Sequence, residues 1–243
     1  MRSFFTIWRR ELTACFLSPV AYVTMVVFVL LANWTFLEAV ERNAGGAASV
    51  ASLYFVSVFF WLPVLVTVIT MRLFAEERRS GTLETLMTAP VDDGAVVWGK
   101  YAGAWTFLLI TLVPTAAGVP LLAVLSPGIR TVDAGSLAVG GLMLALLSAF
   151  WVSIGLLVSL LTKNQIVAAI CCFCVLCLPF LFQYLGPLAP PGSGRVLDYL
   201  SIETHIVEAA RGVLDTRPLV LYGSGTLFML FTSVRVLESR RWR

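Results

Sequence analysis

The sequence predicts an all-α, polytopic membrane protein with six transmembrane helices. Of the 243 residues, 59% are hydrophobic and only 13% are charged, and the mean hydropathy is +0.90. Soluble domains carry about one quarter charged residues. Six apolar runs approach or exceed the roughly 20 residues needed to cross hydrocarbon, and they are continuous instead of alternating, which excludes a β-barrel. The predicted spans are residues 20–37, 51–70, 101–125, 137–161, 166–185 and 219–234.

Residues 1–18 are predicted to form an interfacial helix ahead of the first span. Its apolar residues recur at near-helical spacing: Phe5, Trp8, Leu12 and Phe16. Its basic residues can contact lipid headgroups: Arg2, Arg9 and Arg10. A cleaved signal peptide is disfavoured, because the following apolar run is long and Glu38 and Glu41 follow it in place of small residues.

The distribution of Lys and Arg predicts the orientation. With the N-terminus inside, 12 of the 17 basic residues fall on the inner side of the spans and 5 on the outer side. Inner loops of membrane proteins carry this excess, so we expect both termini in the cytoplasm. The net charge of +3 follows from that one-sided excess and predicts no nucleic-acid partner.

The apolar spans exclude several functions. They contain no Asp, Glu, Lys, Arg or His, which disfavours an ion-coupled pump. His205 is the single histidine, so a two-histidine zinc motif is excluded. The cysteines between Cys171 and Cys177 are interpreted as packing residues and not as metal ligands. The segment Gly94–Lys100 fits a phosphate-loop pattern by chance, and Gly99 with Gly103 can instead form a packing face.

A polar loop, residues 72–99, follows the second predicted span. It begins with a mixed-charge run: Glu76, Glu77, Arg78 and Arg79. Ser80 can cap a new helix whose first turn holds Gly81 and Thr82, and Asp92 or Asp93 can cap the helix that follows the loop. The new helix would carry a short apolar stripe beside Glu84: Leu83, Leu86 and Met87. Such a short helix is marginal alone, so something must bury this stripe.

Two interpretations of the stripe follow from residue physics. It can pack on its own membrane domain or on the headgroup layer. It can also dock into a groove on a cytoplasmic partner, because charges on both sides of the stripe suit an interface with a polar rim.

The loop closely resembles that of a known family. The segment Arg72–Glu84, followed by Thr88-Ala89-Pro90-Val91, is similar to the cytoplasmic loop of ABC-2-type permeases, the membrane subunits of ATP-binding-cassette exporters. The resemblance runs across the whole chain to its ending, Val236–Arg243. The loop and the ending look most like the gliding-motility-associated branch of these permeases, which is also found in bacteria that do not glide.

The resemblance implies one ABC-2-type transmembrane domain, residues 1–243, in the bacterial inner membrane. It implies that the segment after Ser80-Gly81 is a coupling helix that docks into a cleft of an ATPase subunit, with the mixed-charge run flanking it. The contacting residues would be Thr82, Leu83, Glu84, Leu86 and Met87. It also implies two ATPases and two permease subunits, as a homodimer or with a paralogue. ATP and Mg would be bound by the ATPases, so no cofactor, metal or catalytic residue is expected in this chain.

Residues 186–217 form the most elaborate predicted outer loop, and a helix is expected in its second half. The apolar stripe of that helix is Ile202, Ile206, Ala210, Val213 and Leu214. Similar permeases carry short helices there that cap the translocation path. A helix lying on the outer leaflet fits the pattern equally well. In both cases His205 is expected on a wet face.

The expected function is a permease subunit that is not itself an enzyme. It would couple ATP hydrolysis by a separate ATPase to outward movement of an amphipathic or lipid-linked substrate, or to force on a periplasmic accessory protein. Membrane lipid is a further expected partner, since the spans are apolar throughout. The alternative is a membrane scaffold or assembly protein whose loop docks a partner other than an ATPase.

Overall fold

The computed structural model describes residues 2–43, 48–81, 92–125, 133–185 and 201–241. Within these ranges every regular element is a helix, and the predicted all-α class is confirmed. The helices are, in chain order, α1 (Arg2–Leu17), α2 (Pro19–Arg42), α3 (Val50–Thr70), α4 (Ala75–Ser80), α5 (Asp93–Thr115), α6 (Gly118–Leu125), α7 (Ala134–Leu161), α8 (Gln165–Leu185), α9 (Ile202–Ala210) and α10 (Thr216–Arg241).

Five stretches of the described residues are long and apolar enough to cross a membrane. They are Pro19–Arg42, Val50–Arg79, Asp93–Leu122, Ala134–Leu161 and Thr216–Ser239. The remaining predicted span coincides with α8, an apolar helix of 21 residues. A polytopic membrane protein is therefore the architecture that these helices build.

Helices α3 and α7 form the centre of the bundle. In each, 61% of the apolar window is buried inside the chain, against 17% in α2 and α10. The two central helices approach closely where Gly155 of α7 lies against Thr70 of α3, and a Cβ atom at Gly155 would overlap the Thr70 side chain. The peripheral helices leave most of their apolar surface to lipid or to partner subunits, which is expected where lipid is the solvent.

Proline shapes the helices at several points. Pro114 lies near the end of α5, where a turn at Ala116 separates this helix from α6. The third predicted span is thus two helices, with Pro120 inside the second one. Pro179 lies inside α8, and Pro63 lies inside the central helix α3.

Helix α1 packs along α5. The contact depends on two glycines of α5, since a Cβ at Gly99 would lie 2.8 Å from Ile7 Cγ2 and one at Gly103 would lie 2.8 Å from Glu11 Cβ. The two glycines therefore form a packing face, as the sequence analysis considered, because small residues allow close helix approach. Phe5 is 57% exposed and lies off this contact, and the interfacial position of α1 stays a prediction.

Helix α9 packs against α3, α7 and α8, with Ile202, Ile206 and Ala210 buried. His205 is also buried, at 6% exposure, and its Nδ1 lies 2.9 Å from the Tyr222 hydroxyl of α10. The prediction of a wet face for His205 is therefore wrong. Its ring is apolar enough to pack once a hydroxyl partner satisfies its nitrogen. The two other residues of the predicted stripe are exposed: Val213 and Leu214.

Candidate functional site

The mixed-charge run of the sequence forms helix α4, at the end of the bundle where α3 and α7 finish and α5 begins. We call this region the charged end and define it by Glu11, Arg72, Glu77, Arg78 and Lys100. Of the predicted site residues, the structure describes Glu76, Glu77, Arg78, Arg79, Ser80 and Gly81. The others lie outside the described residues: Thr82, Leu83, Glu84, Leu86 and Met87.

The local structure at Ser80 and Gly81 differs from the prediction. Ser80 is the last residue of α4 and therefore lies inside a helix instead of preceding one as its cap. Gly81 follows with φ of 74°, the left-handed conformation that ends helices and that glycine adopts without a Cβ clash. The mixed charges explain the difference, since acidic residues in the first turn and basic residues in the last turn stabilise a helix over 75–80.

Ser159 of α7 fixes the start of α4. Its hydroxyl accepts hydrogen bonds from the backbone N–H groups of Phe74, at 3.1 Å, and Ala75, at 3.2 Å. The same hydroxyl lies 3.4 Å from the Met71 carbonyl oxygen. Helix N-termini leave N–H groups unsatisfied, and here a side chain from a distant helix supplies the acceptor. The turn between α3 and α4 is therefore attached to the central helix α7.

Arg78 makes the second attachment to α7. Its Nη1 donates to the carbonyl oxygens of Leu160, at 3.2 Å, and Thr162, at 3.0 Å. These carbonyls lie at the C-terminal end of α7, which carries a partial negative charge that favours a cation. Arg78 is half-buried and faces the bundle, whereas Glu76 and Arg79 are exposed.

A buried ion triad joins three separate segments of the charged end. Lys100 Nζ of α5 lies 2.8 Å from Glu11 Oε1 of α1 and 2.8 Å from Glu77 Oε1 of α4. The Lys100 side chain is 3% exposed, and the two carboxylates are 17% and 20% exposed. The ammonium also lies 5.2 Å from the centre of the Phe74 ring, within the range of a cation–π contact. A buried ammonium needs such partners, because desolvation without them is costly.

Comparison with protein-family models gives the family directly. Residues 6–231 match the model described as ABC-2 family transporter protein, which covers most of the chain. The chain belongs to this family. It is a membrane permease component of an ABC transporter, and the predicted family is confirmed. The gliding-motility branch stays a prediction. No curated protein matches the chain.

In this ABC-2 permease, the triad includes a residue on each flank of residues 82–91. Glu77 precedes residues 82–91 along the chain, and Lys100 follows them. Helix α5 follows the segment and begins at a capped residue, since the Asp92 carboxylate accepts a hydrogen bond from Ala95 N at 3.1 Å. The Glu77–Lys100 ion pair thus joins the two flanks of the segment. One flank is the end of α4 and the other is the start of α5.

The triad was missed from the sequence, although Glu77 was predicted as a site residue. Lys100 was counted towards the orientation and as the end of a chance phosphate-loop match, and Glu11 was not considered. One signal was present: Glu11 lies between Trp8 and Cys15 on the side of α1 that faces α5, and a carboxylate there needs a cation. The identity of that cation depends on a contact across 89 positions of sequence, which spacing does not reveal.

The cysteines of the permease lie in α1 and α8. Among the described residues, no group of three or more His, Cys, Asp or Glu side chains is placed to hold a metal ion. Cys172 is buried and lies 3.7 Å from the Thr70 hydroxyl, while Cys171 and Cys174 face outward. Outside the spans, burial raises the pKa of the Cys15 thiol to about 11, and the nearby Glu11 carboxylate adds to this shift. Cys15 is therefore a protonated, slowly reacting thiol at neutral pH.

Proposed function

We propose that the chain is the permease subunit of an ABC exporter whose separate ATPase docks on residues 82–87 and moves the charged end. Its cargo would be an amphipathic or lipid-linked molecule, or its output would be force on a periplasmic accessory protein. The permease would act as a homodimer or with a paralogue, in the bacterial inner membrane, with both termini in the cytoplasm. The basic excess on one side of the spans supports this orientation.

The observation that carries the proposal is the ion triad of Lys100, Glu11 and Glu77. A rigid-body movement of the docked segment displaces Glu77 and Lys100, since these residues flank the segment. Lys100 belongs to α5 and Glu11 to α1, so the displacement reaches both helices through ion pairs of 2.8 Å. Buried charges of this kind transmit motion because separating them leaves an unpaired charge, which is costly.

The attachments to α7 extend the same connection to the centre of the bundle. Ser159 and Arg78 bind the turn and helix on the near flank of the segment to the C-terminal end of α7. Because α7 and α3 are the most buried helices, they move together as packed elements. Movement of the loop is therefore passed to the helices that can open a path at a subunit interface.

The test is a reconstitution of the permease with its ATPase in proteoliposomes. The variant Leu83→Asp with Leu86→Asp places two charges on the predicted docking stripe. We expect it to lose ATPase association and permease-dependent stimulation of ATP hydrolysis while keeping membrane insertion. The matched control is Val213→Asp with Leu214→Asp, which places the same charges on exposed apolar residues between α9 and α10. Full association in the first variant would rule out docking at this segment, whereas a wild-type chain that binds no ATPase would favour the scaffold role.

A further inference from the structure

A cavity of about 350 Å³ opens beside the ion triad and is lined by residues from α1 to α5. Its walls have two distinct parts. One part is charged: Arg10, Glu11, Arg72, Glu76, Glu77 and Lys100. The other part is apolar and comes mainly from the spanning helices: Val20, Ala21, Val68, Ile69 and Phe107. A ligand that fills this space has one charged and one apolar portion.

Arg72 is a half-buried cation of the charged wall for which the described residues supply no anion. Its Nη1 donates to the Ser18 hydroxyl at 3.0 Å, but its Nε is buried and makes no hydrogen bond. Among the described residues, none forms an ion pair with Arg72, whereas Lys100 binds two carboxylates. A guanidinium with a buried, unsatisfied N–H is unfavourable, so an acceptor belongs in this position.

The depth of the cavity limits what that acceptor can be. Ser18 immediately precedes α2, and Arg72 follows the last residue of α3 by two positions. Both residues therefore lie at the ends of spanning helices, where lipid headgroups meet the hydrocarbon. An anion held at this level with an apolar chain against Val68 and Phe107 has the layout of a phospholipid.

The geometry points to a binding site for the phosphate headgroup of a phospholipid, with Arg72 as the principal phosphate-binding residue and Arg10 as a second cation. A guanidinium presents a planar fork that matches phosphate oxygens in a bidentate manner. The first acyl segments of the lipid lie against the apolar wall. The bound lipid contacts α1, α2 and α3 together, next to the triad, so it stabilises the charged end.

The test measures lipid binding to the purified, delipidated full chain by native mass spectrometry. The probes are phosphatidylglycerol, diacylglycerol with the same acyl chains, and inorganic phosphate. We expect phosphatidylglycerol to bind and diacylglycerol to bind far more weakly. Binding of diacylglycerol equal to that of phosphatidylglycerol would overturn the phosphate site. If inorganic phosphate alone occupied the site at the concentration at which the lipid binds, the site would be one for free phosphate and not for a phospholipid.

Variants locate the binding in the cavity. Arg72→Gln should weaken phosphatidylglycerol binding about 10- to 100-fold, the loss expected for a charge-assisted hydrogen-bond pair. Arg42→Gln is the matched control, because Arg42 is an exposed arginine at the opposite end of α2 that does not line the cavity, and the affinity of this variant should stay within about twofold of wild type. Equal losses in both variants, or none in either, would overturn the assignment.

A second variant and a native reporter cover the case in which Arg72→Gln does not fold. Ala21→Phe fills the apolar part of the cavity without changing a charge and should also weaken binding. Cys15 lines the cavity, so phosphatidylglycerol should slow the alkylation of Cys15 by N-ethylmaleimide at pH 9. Peptide-resolved mass spectrometry measures the rate of this reaction. Alkylation of Cys15 at the same rate with and without the lipid would show that the cavity stays empty.

Discussion

Lys100 and Glu77 form a 2.8 Å ion pair that closes the chain across residues 82–91, and the same ammonium holds Glu11 of the N-terminal helix. One nearly inaccessible cation thereby connects α1, α4 and α5. The energetics of this arrangement are asymmetric. Removing the cation leaves two carboxylates close together in a poorly hydrated region, which is far worse than losing one surface ion pair.

Lys100→Met should destabilise the permease by up to about 3–5 kcal/mol, the cost of breaking a buried ion pair from one side. The measurement is the midpoint of thermal unfolding in detergent. Lys163→Met is the control, because Lys163 is an exposed lysine in the turn between α7 and α8. An unfolding midpoint as low in Lys163→Met as in Lys100→Met would contradict a specific role for the triad.

Ser159→Ala should destabilise the turn between α3 and α4 by about 1–2 kcal/mol, since the N–H groups of Phe74 and Ala75 lose their acceptor. It should also reduce coupling, measured as ATP hydrolysis stimulated by the permease. The matched control is Ser153→Ala. Ser153 is equally buried on α7, but its hydroxyl donates only to Phe150 O of its own helix. Identical stability in the two variants would argue against the attachment.

Gly103→Ala should loosen α1 from α5, because the new Cβ would lie 2.8 Å from Glu11 Cβ. Overpacking of this kind costs about 1–3 kcal/mol. The expected result is a lower unfolding midpoint and faster protease cleavage within α1. Gly141→Ala on α7 meets nothing within 4 Å and should be neutral or slightly stabilising. Unchanged proteolysis in Gly103→Ala would mean that α1 does not depend on this close contact.

His205 should make the stability of α9 depend on pH. Burial lowers the pKa of His205 below its usual 6.5, and the opposing effects of Glu208 and Asp215 are smaller. The folded state therefore binds the proton less well than the unfolded state. The stability is fully present above pH 6.5 and is lost as the pH falls from there through the folded pKa.

His205→Gln removes this titration, so its unfolding midpoint should fall less than that of wild type between pH 7.5 and pH 5. The measurement is thermal unfolding in detergent across that range. Tyr222→Phe is an informative comparison, because it removes the hydrogen-bond partner and keeps the histidine. Parallel pH profiles for wild type and His205→Gln would exclude His205 as the source of the dependence.

Much of the fold could be predicted because membrane spans depend on local composition. An apolar run, or a helix cap such as Asp92, can be recognised from a few neighbouring residues. The long helices coincide with the predicted runs, and Asp92 caps α5. The prediction that Ser80 caps a new helix was wrong, because Ser80 is instead the last residue of α4. His205 was placed on a wet face because its burial depends on α3, α7 and α10, which a single helical stripe does not reveal.

The site was only partly predictable for a related reason. The predicted charged run contains Glu77 and Arg78, which the structure joins to Lys100 and to the end of α7. Those partners lie 23 and more than 80 positions away in sequence, so no spacing rule points to them. A charge at the edge of an apolar segment is usually counted towards topology, and Lys100 shows that it can also be a packing residue.

The attachments on both flanks of residues 82–91 have a consequence for the entropy of partner binding. A segment whose ends are free must lose conformational freedom at each end when it docks, and that loss opposes association. Here Ser159 and Arg78 hold one end and the Asp92 cap holds the other, so the ends are ordered before any partner arrives. Docking between these two ends therefore costs less conformational entropy, and more of a partner's contact energy is available as affinity.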